Sequence, residues 1–255
     1  MTEQTQSERP IVFLHLPKTG GQSIHHSIGS HVGEQNISPY RLQTQVTDGL
    51  AFPVSYRMHS GHLHWDSLEQ LPGNPFSFIV LRDPRERLGS FYFFMQAEAR
   101  KARDAHGEDA LAPVQQALLT SASAVFFSTR PDLRLAVEET WGNLSLTYLA
   151  TRTLRRRDPL KSLPLSDLLA LADSNSRALS GVYRFGEFDK LESDLEPILG
   201  NRPSIADKRA NPGPLDQSIS RWNALLDELE SDAERQEMDR YVDEDDALMR
   251  RIEFR

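Results

Sequence analysis

The chain has 255 residues, no cysteine and a formal charge of −8. That length buries a sizeable core, and 38% hydrophobic with 26% charged residues describes a globular chain rather than a disordered one. The missing cysteines exclude disulfides, zinc–thiolate sites, iron–sulfur clusters and a thiol nucleophile, and no apolar stretch reaches the roughly 18 residues of a membrane helix.

The polar start MTEQTQSERP predicts a flexible segment over 1–9, with neither signal peptide nor membrane anchor, and a cytoplasmic location. Residues 216–255 hold 13 Asp and Glu against six Arg, so the first 215 residues are nearly neutral. A broad basic face for nucleic acid is not expected, whereas a local positive pocket remains compatible with the composition.

The nearly continuous apolar run Ile11–Leu16 predicts a buried parallel strand. A loop over 17–21 follows, then a helix with Ile24, Ile28 and Val32 on one stripe. Val54–Ser60 is a weaker strand candidate and Phe76–Leu81 a clear one. After Asp83-Pro84, Leu88, Phe91, Tyr92, Met95 and Ala99 recur at helical spacing, and proline suits a first helical turn. Residues 108–178 read as a mainly helical insertion, with Leu118, Leu119, Val125, Leu133, Leu135, Leu144 and Leu146 as core candidates and a basic cluster at Arg155–Arg157. Gly181–Phe185 predicts one more strand, followed by an acidic amphipathic helix to Leu199. Beyond a Pro/Asn/Gly-rich turn region, Leu215, Ile219, Trp222, Leu226 and Leu229 mark one helix, and Met238, Tyr241, Val242 and Leu248 a second. Strands alternating with helices predict one α/β domain over 10–255, a three-layer arrangement around a parallel sheet with acidic helices over 215–255.

Two strand-to-helix junctions carry the chemistry. Pro17-Lys18-Thr19-Gly20-Gly21-Gln22-Ser23 puts adjacent glycines, a lysine and two hydroxyls at a helix start, a composition suited to cradling phosphate. It is not the G-x-x-x-x-G-K-[ST] loop, because the lysine precedes the glycines. The plain alternative is a tight turn with a surface lysine. At the second junction Arg82 ends a strand, pointing into the crevice where α/β sheets bind ligands, and Ser90 lies two helical turns on. The pair suits a second phosphate. Asp83 is expected to cap the helix or orient an arginine, and Arg85 to pair with Glu86 on a solvated helix start.

In their order and spacing these two motifs, PKTGGQS at 17–23 and RDPRERLGS at 82–90, resemble those of sulfotransferases that use 3′-phosphoadenosine-5′-phosphosulfate (PAPS). The resemblance is nearest to the branch with the uronosyl 2-O-sulfotransferases and their bacterial relatives. It covers residues 10–95, and more weakly GVYRFGEFDKLESDLEPIL and the acidic C-terminal helices. It implies a P-loop-like domain in which Pro17, Lys18, Thr19, Gly20, Gly21, Gln22 and Ser23 hold the 5′-phosphosulfate. Arg82 and Ser90 would hold the 3′-phosphate, and Arg184 would be a further cofactor-side residue. Lys18 would also stabilise the leaving group. No metal is implied, and the partner is a small-molecule or glycan hydroxyl acceptor.

Transfer to a hydroxyl needs a base, and histidine suits that near neutral pH. The resemblance places the base in a Gly-His segment before the RDP strand, which is Gly61-His62 here. His64, on the same face if the segment is extended, is the alternative base or an acceptor-side residue, and Trp65 a candidate acceptor-pocket wall. A zinc site from His59, His62 and His64 lacks a completing ligand in the sequence. His25 and His26 fall on the first helix with no assigned chemistry, Phe91–Phe94 is mainly core, and Lys208, Arg209 and Asn211 are weak late-loop candidates. Two other functions stay open: a nucleoside-triphosphate-dependent kinase with a variant phosphate loop, and a non-catalytic nucleotide-binding module.

Overall fold

The computed structural model of the chain describes residues 9–46, 49–154, 162–207 and 218–255. Apolar runs at Ile11–Leu14 (β1), Phe76–Leu81 (β3) and Gly181–Arg184 (β4) form three strands, and Met58–Gly61 (β2) forms a fourth. All pair in parallel in the order β2-β1-β3-β4. β1 and β3 are buried along their whole length, as expected of parallel strands covered on both faces. The expectation of a strand over Val54–Ser60 is corrected in register: pairing begins only at Met58. β2 would be an exposed edge, but the chain just before it runs alongside, with bridges from Ile37 to Met58 and from Leu42 to His62.

Side chains alternate across the sheet. Val12, Leu14, Ile79, Leu81 and Val182 join a core with α6 (Leu144–Thr151), α7 (Leu165–Arg177) and α11 (Asp243–Arg251). Ile11, Phe13, Phe76, Phe78, Val80 and Tyr183 face the other way, against α1 (Gly21–Val32) and α8 (Asp189–Leu199). The result is an α/β architecture with helices on both faces of a parallel sheet.

A further core lies beside the sheet. It gathers Leu88, Tyr92 and Phe93 of α2 (Pro84–His106) with α3 (Pro113–Thr120), α4 (Ala122–Phe126), α5 (Pro131–Thr140) and α9 (Arg221–Asp227). The stretch 108–178 is therefore helical but not one unit: α3 to α5 pack on α2, whereas α6 and α7 cover the sheet. Leu118, Val125, Leu133, Leu144 and Leu146 are buried as expected, whereas Leu135 and Ile219 are 46% and 45% exposed. Arg155–Arg157, Lys208, Arg209, Asn211, Leu215 and residues 1–8 lie outside the described residues. Among the described residues no helix is long and apolar enough to cross a membrane.

The start of α2 ties these layers together. Asp83 caps it, its carboxylate accepting the Glu86 N–H at 2.9 Å. Arg85 does not pair with Glu86; it bonds Asp239 and Asp246 near the C-terminus. Arg87 is wholly buried, donates to the Trp141 carbonyl at 2.6 Å and lies 3.9 Å from the equally buried Asp245. Asp245 in turn accepts the Ser145 and Leu146 N–H groups at the start of α6. The acidic C-terminal section, which also contains the short α10 (Asp232–Glu237), thus supplies the counter-charges that let two arginines sit at this junction.

Removing one member of the buried pair strands the other. Arg87→Ala is expected to lower unfolding free energy by about 3–5 kcal/mol in urea. Arg85→Ala, whose pairs are partly solvated, is expected to cost about 1 kcal/mol or less.

Candidate functional site

The strand order puts β1 at a reversal point. From β1 the chain passes through α1 to β2 on one side, then crosses back to β3 on the other. The segments leaving β1 and β3 therefore diverge, opening a crevice at their carboxyl ends, the usual ligand position in open α/β sheets.

Residues 15–20 connect β1 to α1 at that end. Lys18 and Gly20 have left-handed backbones, with φ of 69° and 80°, which suits the glycine and strains the lysine. α1 starts at Gly21 with no acidic residue in its first turn, so its positive end faces the loop uncompensated. Thr19 is fully buried and its hydroxyl donates to the Leu16 carbonyl at 2.9 Å; it locks the turn instead of facing a ligand. A Cβ at Gly21 would stand 1.9 Å from His15 Nε2, so any side chain there must displace the His15 ring. Gln22 is exposed and Ser23 half-buried.

Lys18 and Arg82 converge on this crevice from β1 and β3. Arg82 donates to the Lys18 carbonyl at 3.2 Å, pairs with Glu86 at 3.7 Å and lies 4.9 Å from the Phe185 ring centre. The Lys18 ammonium sits 4.3 Å from the Phe94 ring centre. Burial, then the nearby Arg82, lowers the Lys18 ammonium below its ordinary value. Glu86, Ser90 and Phe94 recur every four residues on α2, so Ser90 shares the face whose neighbours touch Arg82 and Lys18. Glu86 also accepts from the Ser220 hydroxyl and the Arg221 N–H, docking α9 beside Arg82. Burial raises its carboxyl, but these bonds and Arg82 outweigh that and hold it below the usual range.

On the β2 side, His62 Nδ1 lies 2.7 Å from the His15 carbonyl oxygen. A carbonyl only accepts, so Nδ1 carries the hydrogen and Nε2 the basic lone pair. The His62 and His15 rings stack with centres 4.3 Å apart. His64 is half-buried two residues on, its N–H donating to the Gln43 side chain at 2.8 Å. Trp65 does not wall this crevice: it is 1% exposed, its indole packs on Tyr148 and its N–H donates to the Tyr148 carbonyl. Arg184 is exposed at the end of β4 and rests 3.8 Å from the Phe254 ring centre.

The other histidines separate by burial. His59 points into the core against Phe52, and burial pushes it down to about 4. His25, bonded by the Arg41 guanidinium, is also pushed down to about 4, by burial first and Arg41 second. Among the described residues no three His, Asp or Glu side chains converge as a metal site. Two cavities, about 570 Å³ around Phe127 and Arg240 and about 560 Å³ around Ser180 and Arg152, include neither the loop nor Arg82.

His15, Arg41 and Phe185, without an assigned role in the sequence, stand beside Phe94, which comes from the aromatic run read as mainly core. His15 carried a weak signal, a polar residue ending an apolar strand next to the loop. Arg41 carried none; it arrives because residues 41–43 pair with the strand extension at His62, whose N–H donates to the Arg41 carbonyl at 2.8 Å. No family model matches this sequence, and comparisons with curated proteins and with solved structures find no match.

His59 has a testable consequence. Its ordinary value is 6.5 and its folded value about 4. The unfolded chain therefore binds the extra proton between these values, and stability present above about pH 6.5 is lost as pH falls toward 4, by about 3 kcal/mol. His59→Phe is expected to remove that share of the loss from a stability–pH curve measured by denaturant unfolding, while the shares of His15 and His25 remain.

Proposed function

We propose that this chain is a PAPS-dependent O-sulfotransferase on a P-loop-like α/β domain. The reading rests above all on one observation: His62 is held with Nδ1 on the His15 carbonyl, which leaves Nε2 as a base beside the loop that carries Lys18.

In this reading the loop N–H groups of 18–23 and the Lys18 ammonium take the 5′-phosphosulfate, and Arg82 with Ser90 takes the 3′-phosphate. Arg184 contributes at the margin, because its guanidinium already rests on Phe254. Phe185 offers an aromatic face next to Arg82. His62 Nε2 removes the acceptor hydroxyl proton while the acceptor oxygen bonds to sulfur. The bond from sulfur to the bridging oxygen breaks, and its electron pair stays on the 5′-phosphate of adenosine 3′,5′-bisphosphate. Lys18 opposes the negative charge growing on that oxygen, and its partly buried position strengthens the effect. Catalysis is then mainly alignment and electrostatics. His64 lies on the acceptor side, where a glycan, lipid or small-metabolite hydroxyl would approach.

Calorimetry with adenosine 3′,5′-bisphosphate against ATP–Mg²⁺ tests the donor: binding of the bisphosphate is expected, and preference for ATP–Mg²⁺ would support a kinase instead. With labelled donor and a panel of hydroxyl acceptors, Lys18→Ala and His62→Ala are each expected to cut transfer by about 10²–10⁴. Arg82→Ala is expected to weaken bisphosphate binding roughly 10- to 100-fold. His62→Ala should bind the bisphosphate normally, and full transfer by that variant removes His62 from the role.

A further inference from the structure

His15 is the residue through which the two halves of this site touch. It follows the last residue of β1, and its N–H donates to the Gly61 carbonyl at 3.2 Å, prolonging the pairing with β2 by one step. Its own carbonyl is taken by the His62 side chain. Its ring is 7% exposed and packed among His62, Gly21 and Phe13. The His62 imidazole is 4.3 Å away and tilted by 26°. Gly21 also packs against the ring, so closely that an added Cβ would overlap it. Phe13 stacks against the same ring at 5.2 Å and holds it against the sheet.

We propose that His15 is a positioning residue: its ring is the spacer that sets both the plane of the His62 imidazole and the gap between that imidazole and the anion loop. The hydrogen bond to the His15 carbonyl fixes one atom of the imidazole. A flat ring stacked on the imidazole restricts its tilt about that bond, and Gly21, packed closely against the His15 ring, limits how far that ring can give way. A misplacement of about 1 Å in such a constellation costs about 10²-fold in rate.

The charge state of His15 suits the role. Burial pushes it well below its ordinary value, with His62, Arg41, His25 and Lys18 adding to the effect. A neutral ring does not repel the imidazolium that His62 becomes on taking a proton. A charged one would.

The inference builds on the reading of His62 as the base, so the test separates the two. In ¹⁵N-histidine-labelled protein, long-range ¹H–¹⁵N spectra report the His62 tautomer without any turnover. His15→Leu keeps similar volume and removes the flat ring; His15→Phe keeps the ring and removes the nitrogens. The wild-type chain should show the Nδ1–H tautomer at His62. His15→Leu is expected to show averaged tautomers and at least tenfold slower transfer, with His15→Phe restoring the tautomer and the rate to within about threefold. A wild-type tautomer in folded His15→Leu, or identical behaviour of the Leu and Phe variants, overturns the proposal. If His15→Leu does not fold, Gly21→Ala displaces the same ring by direct overlap, and an unchanged His62 tautomer there overturns it equally. If the wild-type chain binds no adenosine 3′,5′-bisphosphate, the sulfotransferase reading fails, and the tautomer alone decides the role of His15.

Discussion

β1 is hydrogen-bonded on both sides along its length, to β2 from Ile11–Met58 through Leu14–Gly61 and to β3 from Ile11–Phe76 through Leu14–Ile79. With a neighbour on each side and a hydrophobic layer on each face, it has little room to shift. It ends where the two neighbouring chains separate, so the residues after Leu14 meet the ends of β2 and β3 at a defined distance. Lys18, Arg82 and His62 all sit within a few residues of these strand ends. The crevice is thus a consequence of parallel pairing and of the crossover that sends β3 to the far side of β1.

The electrostatics follow from the same junction. A chain with a charge of −8 is a poor general host for a polyanion. The excess acid is, however, directed elsewhere. Asp239 and Asp246 pair with Arg85, and Asp245 lies beside Arg87 in the core. Glu86 is the one carboxylate of this group that faces Arg82, and it is simultaneously held by Ser220 and the Arg221 N–H. Toward the loop stand Lys18, Arg82, the α1 start and histidines that burial keeps uncharged at His15 and His25, with Glu98 acting on Lys18 and Glu86 and Asp83 on Arg82. The local field at the crevice is set by which acids are already engaged, not by the net charge.

The strands at Ile11, Phe76 and Gly181 and the helices after Gly20 and Pro84 were legible because their signals are local. An apolar run, a period near four, a proline in a first turn and a glycine pair each constrain a few adjacent residues. β2 starts four residues later than the sequence suggests because MHSG has almost no strand signature; its place depends on β1 and on the covering segment 37–42. Leu135 and Ile219 matched a helical stripe, but the helices that carry or follow them turn other faces inward. Trp65 stands next to the histidines in sequence, yet an extended backbone sends alternate side chains to opposite sides, and it went to the core.

The sequence by itself determined the α/β alternation, the two strand-to-helix junctions and the residues Lys18, Arg82, Ser90 and His62 as the group to consider together. These follow from short-range composition and from motif resemblance. Only the tertiary structure decided what each does beside the others. Thr19 turned its hydroxyl inward, Arg87 went into the core with Asp245, and Phe94 and Phe185 came up against Lys18 and Arg82. His15 became the contact between loop and histidine. The physical reason is one of range: backbone propensity acts over a few neighbouring residues, whereas the His15–His62 stack joins positions 47 residues apart and exists only once the sheet has formed.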